Sequence, residues 1–163
     1  AAIRNLYNDF VSCYYPTVNL FTEEFRQWRW PSGPFYKIPD EAKFVQRLRD
    51  ALVMEYDGGL YLATATPRAW LEPGKRITVT NAPTWYGPVS YQLSAAAGSV
   101  TADVHLPRRS APGHATLAVR PPAGQRIGQV LLNGKPYTDF DVTSGRIRLP
   151  RNTPDLQVEV KLK

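Results

Sequence analysis

The sequence predicts a mainly β protein: an antiparallel β-sandwich preceded by two helices and an aromatic-rich loop. Three observations carry this expectation. Up to about residue 50 the apolar residues recur every three or four positions, the period of a helix face; beyond it they alternate in short runs, the period of a half-buried strand. Glycine-bearing turn signals such as Asp57-Gly58-Gly59, Asn133-Gly134 and Ser144-Gly145 punctuate the second part. No helical pattern separates one strand-like run from the next, which argues against the helical crossovers of a parallel α/β sheet. The expected organisation is a helical segment over 1–50 and a sandwich domain over 51–163.

Taken in order, Ile3, Leu6, Tyr7, Phe10, Val11 and Tyr14 line one face of a first helix, which Pro16 stops. Residues 17–38 hold Phe21, Phe25, Trp28, Trp30, Phe35 and Tyr36 among the breakers Pro31, Gly33 and Pro34, the composition of an ordered surface loop. A second helix is expected over 39–50. Asp40 and Glu41 sit favourably in its first turn, and Phe44, Val45 and Leu48 share one face.

From Ala51 the chain reads ALVMEY, a glycine turn, then LYLATAT, a first hairpin. Pro67 to Tyr91 follows as a belt inside the β-domain, in which Trp70 and Trp85 read as anchors clamping the sandwich to the helices. Alternation then marks RITVTN, PVSYQLS and SVTADVHL; PRRSAPGH reads as a loop carrying Arg108, Arg109 and His114 before ATLAVR. IGQVLLNGKPY carries a strong type I′ hairpin signal, and DFDV, RIRLP and LQVEVKL complete about nine or ten short strands, the number and spacing of a sandwich.

Bulk properties narrow the function. A chain of 163 residues with 43% hydrophobic content makes one core with an attachment. Its net charge of +6 would suit a polyanion, but the basic residues never form a run, so a solvated basic surface is expected and nucleic acid is not expected as a partner. The single cysteine, Cys13, excludes an intrachain disulfide and reads as a buried, inert thiol. No apolar run is long enough to span a bilayer, so no membrane is expected as a partner either. The chain opens on AAIRNLYNDF, already helical in pattern and without an initiating Met, as a piece of a longer protein would. The alternation of the last strand runs to Leu162, which suggests that the natural C-terminus is close by.

A search for reactive groups returns little. His105 and His114 lack further ligands at metal-binding spacing, and no phosphate loop, nucleophile elbow or zinc helix is present, so neither metal nor cofactor is expected. Paired acids remain, because glycoside hydrolysis needs two carboxylates a few ångströms apart. Glu23 and Glu24 lie inside the aromatic loop, and Asp139 and Asp141 share one face of DFDV; adjacent acids are also ordinary solvated charge. Two readings of the loop compete. Its rings seal a domain junction, or Trp28, Trp30 and Tyr36, with Glu23 and Glu24, form a ligand platform for a sugar.

The segments NLYNDFVSCYYPTVNLFTEEF, GPFYKIPDEAKFVQRLRDALVMEYDGGLYLATATPRAWLEPGKRITVTNAPTWYGPVSY and VLLNGKPYTDFDVTSGRIRLP resemble the C-terminal portion of large bacterial glycoside-hydrolase-like proteins. In these a toroid of six alpha-hairpins carries the active site and a β-sandwich follows it. The resemblance implies that residues 1 to about 50 end the toroid, that the sandwich packs against it, and that the catalytic carboxylates lie upstream, so no catalytic residue is assigned to this chain. It also implies a secreted or periplasmic setting, the upstream toroid as partner, and an oligo- or polysaccharide as a further one. Without the toroid, the apolar face of the first helix is expected to need cover, for which a second copy of the chain is one source. Three functions follow: a non-catalytic accessory domain of a carbohydrate-active protein, a carbohydrate-binding module stacking sugars on Trp28, Trp30, Trp70, Trp85 or Tyr86, and a structural sandwich that makes protein contacts alone.

Overall fold

The computed structural model of the chain describes residues 2–15, 20–21 and 38–163. These divide into two compact units, 1–51 and 52–163.

The first unit contains α1 (Ala2–Cys13), the two-residue strands β1 (Tyr14–Tyr15) and β2 (Leu20–Phe21), paired antiparallel, and most of α2 (Ile38–Leu52). Leu6 is buried, and Phe10 stacks on Tyr14 at 4.6 Å between ring centroids and meets Phe44 of α2 at 5.2 Å. Several other apolar residues of the two helices stand open to solvent. Val11 is 70% and Val45 64% exposed, Tyr7 is exposed, and Cys13 is half-buried rather than buried. The second helix also runs two residues further than its periodicity suggests, because Ala51 and Leu52 continue its turn before β3 begins.

The second unit is a β-sandwich. Its six-stranded sheet has the order β10 (Lys135–Tyr137), β9 (Ile127–Leu132), β13 (Asp155–Leu162), β7 (Ser99–His105), β6 (Val89–Ala96) and β5 (Arg76–Ala82). Its five-stranded sheet has the order β11 (Phe140–Asp141), β12 (Arg146–Leu149), β8 (His114–Ala118), β4 (Gly59–Leu62) and β3 (Val53–Tyr56). Strand alternation sends one face of each inward. Val89, Tyr91, Leu93, Val100, Val104, Val158 and Val160 from the first sheet meet Val53, Leu60, Leu62, Leu117, Ile147 and Leu149 from the second in one continuous core. Each such side chain contributes about 1.5–3 kcal/mol on full burial, so this core is the main source of the unit's stability.

Two hairpins form on left-handed turn residues as the sequence predicts: Asp57-Gly58 (φ 47° and 69°) between β3 and β4, and Asn133-Gly134 (φ 48° and 76°) between β9 and β10. Three local expectations are corrected. LYLATAT stays extended only to Leu62, because Ala63 takes a left-handed φ of 57° and turns the chain into the belt. His114 is the first residue of β8 rather than part of the loop. The antiparallel pattern has one exception among the described strands, the parallel pair β4–β8, in which Gly59, Leu60, Tyr61 and Leu62 face His114, Ala115, Thr116 and Leu117. The connection between them is the whole β5–β6–β7 meander in the facing sheet. The lack of helical crossovers therefore left a crossover made of strands open.

Inside the belt, a 3₁₀ turn at Arg68–Leu71 buries Leu71 and packs Trp70 against the sandwich core. Arg68 and Arg120 fix this stretch by donating to the carbonyls of Pro121 and Thr66. Trp85 stands apart from the sandwich core. It is 82% exposed, because residues 83–88 form a tight loop at the sandwich rim that holds the indole away from the core.

Candidate functional site

The outer face of the five-stranded sheet carries a cleft of about 600 Å³. Its floor follows from register and alternation. Leu60, Leu62, Ala115, Leu117, Ile147 and Leu149 point inward, so their neighbours Tyr61, His114, Thr116, Arg146 and Arg148 point outward. Tyr61 pairs with Thr116, and Thr116 with Arg148, placing the three in one row across three strands. The segment that turns from β10 into β12 forms a wall with Asp139, Phe140, Asp141 and Ser144.

His114 lies over Gly59. A Cβ at that position would come 2.1 Å from the imidazole Nε2, so the absence of a side chain there makes room for the ring. His114 Nε2 is 2.7 Å from the Tyr61 hydroxyl, and the two rings meet edge to face at 5.2 Å. The acids of the wall are differently engaged. Asp141 Oδ1 accepts the backbone N–H groups of Thr143 at 2.7 Å and Ser144 at 2.8 Å, closing its own turn. Those N–H groups, Ser144 first, hold its carboxyl below the usual carboxylate range. Asp139 Oδ2 lies 3.9 Å from Arg148 Nε. The cleft thus combines hydroxyl, imidazole and guanidinium groups suited to hydrogen-bonding a hydroxyl-rich ligand.

A second polar feature lies on the six-stranded sheet. His105 Nδ1 and the Arg108 guanidinium both contact Asp155, at 2.9 Å and 2.5 Å, and these bonds, His105 first, lower the Asp155 carboxyl. All three side chains are well exposed. Among the described residues no three His, Cys, Asp or Glu side chains cluster as a metal ion would require.

Against known proteins, no family model and no curated protein matches the chain. Among solved structures, a chain described as "Glycoside hydrolase" is similar to it with a TM-score of 0.45 and 13% identity. That similarity covers 97% of this chain and 27% of the other, so the chain spans about a quarter of the neighbour's length.

Of the residues expected to bind ligand, Trp28, Trp30, Tyr36, Glu23 and Glu24 lie outside the described residues. Asp139 and Asp141 do line one cleft. Sequence reasoning left Tyr61, Arg146 and Arg148 unassigned and saw in His114 only a loop residue. Alternation around Leu60 and Ile147 marks the outward positions, but the parallel pairing that brings Tyr61 beside His114 has no local signal.

Proposed function

We propose that the sandwich is a non-catalytic accessory domain of a glycoside-hydrolase-like protein, packing on and supporting a helical catalytic domain to which residues 1 to about 50 belong. The sequence resemblance supports the carbohydrate-linked setting, and the chemistry of the sandwich supports the non-catalytic role. One observation carries the latter: in the cleft on the five-stranded sheet, Asp141 is committed to its own turn and kept ionised by backbone N–H groups. A general acid requires the opposite, a carboxyl kept protonated by an apolar or like-charged environment.

The purified chain is expected to show no hydrolysis of aryl glycosides or plant oligosaccharides. Turnover that persists through purification and disappears in Asp139→Asn, Glu23→Gln or Glu24→Gln would overturn this reading.

A further inference from the structure

The loop between β5 and β6 displays Trp85 in a manner that packing does not explain. Large aromatic rings on a sandwich usually turn inward, as Tyr91 and Trp70 do here. Trp85 instead stands 82% exposed on a backbone fixed from several sides. Thr84 Oγ1 donates to the Gly87 carbonyl at 2.5 Å and accepts the Tyr86 N–H, and the Gly87 N–H closes the turn on the Thr84 carbonyl at 3.1 Å. Gly87 takes a φ of 118°, open in practice to glycine alone. From the facing sheet, Glu55 reaches the rim on the inward side of β3, and its Oε1 accepts the Trp85 N–H at 2.6 Å. The Arg109 guanidinium donates to the Trp85 carbonyl. Glu55, Pro83, Thr84, Trp85 and Arg109 together border a shallow, open depression of about 430 Å³.

We propose that this ledge is a carbohydrate subsite, on which the Trp85 indole stacks against the C–H face of one pyranose ring of an uncharged glycan. A pyranose has an apolar face and a rim of hydroxyls, and the ledge has an apolar plate and a polar border. The border carries one carboxylate and one guanidinium, so it is polar while favouring neither an anionic nor a cationic ligand. The fixed turn means that little conformational freedom is lost on binding. The proposal rests on the carbohydrate-linked reading above and adds to it a position and a ligand class.

Each of the four tryptophans contributes one indole N–H signal to an NMR spectrum, and the signal lost in Trp85→Ala is assigned to Trp85. The full chain is titrated with neutral gluco-, manno-, xylo-, galacto- and arabino-configured pentasaccharides, and with trigalacturonate as the charged control. A neutral probe is expected to shift the Trp85 signal saturably. Trp85→Phe should weaken binding about threefold and Trp85→Ala at least ~10-fold, the scale of one lost ring contact. Because the side chain is exposed, both variants should melt within a few degrees of the parent. Binding that survives Trp85→Ala, or that prefers trigalacturonate, overturns the ledge while leaving the carbohydrate-linked reading in place. No shift with any probe overturns the ledge alone, because an accessory domain that supports its catalytic partner need not itself bind sugar. Hydrolysis accompanied by a Trp85 shift overturns the non-catalytic role alone.

Discussion

The six-stranded sheet is built mostly of six- to eight-residue strands paired antiparallel throughout, whereas the five-stranded sheet is assembled from strands of two to five residues and includes the parallel pair β4–β8. Both donate to the same core, yet their outer faces differ. The outer face of the long-stranded sheet carries ordinary polar alternation, with Thr78, Thr80, Gln92, Asp103 and His105 around a smaller depression of about 260 Å³. On the short-stranded sheet, three segments far apart in sequence meet side by side, and Tyr61, His114 and Arg148 converge on one cleft. Long strands make a regular surface. Short strands joined through the facing sheet bring unlike residues together.

The largest effects should show that the difference is confined to the outer faces. Leu93 belongs to the six-stranded sheet and Leu117 to the five-stranded one, and both are fully buried in the shared core. Leu93→Ala and Leu117→Ala should each cost about 2–5 kcal/mol, within a single denaturant transition of the sandwich. Separate transitions for the two variants would show that the sheets unfold independently, and the comparison would then extend into the core.

Next in size is Gly145→Ala, at the turn leading into β12. Gly145 has a φ of 71°, and an added Cβ would sit 2.2 Å from the Val119 carbonyl oxygen, a backbone atom unable to swing aside. A loss of roughly 1–3 kcal/mol is expected, the scale of a strained backbone position. The hairpin residue Gly134 has a similar φ of 76° but nothing within 4 Å of its added Cβ, so Gly134→Ala should cost less. Equal losses at the two positions would mean that φ alone decides and that the close approach to Val119 contributes nothing.

These positions also mark how much was legible beforehand. The hairpin at Asn133-Gly134, the inward sets of β6, β7 and β13, and the sandwich itself follow from period-two alternation and turn chemistry, both local properties. The exposure of Trp85 had no local signal, because it is set by Thr84, Gly87, Glu55 and Arg109, which meet only in the fold. The His114 cleft was missed for a related reason. Its glycine, tyrosine and histidine are unremarkable in sequence and acquire a relation through a parallel pairing 55 residues apart, Gly59 with His114.

That relation is open to direct test by Gly59→Ala. The new Cβ would occupy the site of the His114 ring, which must swing away and lose its bond to Tyr61. The imidazole is a movable group, so the cost should be only about 1 kcal/mol, that of one hydrogen bond. The signature would be a changed His114 ring environment by NMR with β4–β8 amide protection retained. An unchanged ring would show that the cleft floor is not organised as described.

The smallest effect separates two acids whose carboxyls are both held low, by different means. Asp141 is stabilised by the N–H groups of its own turn, Asp155 by the side chains of His105 and Arg108 across the six-stranded sheet. In each case the folded carboxyl titrates below its unfolded counterpart. The contribution to stability is therefore complete above the ordinary carboxylate value and is lost as pH falls through the folded one. His105→Ala should bring the Asp155 titration up towards the ordinary value and flatten the acid limb of the stability profile, while leaving Asp141 where it was. Both groups are exposed, so the change is one of slope rather than of fold. If His105→Ala shifted the two carboxyls together, the acids of the two sheets would be coupled, and the separation drawn between a local turn and a cross-strand cluster would fail.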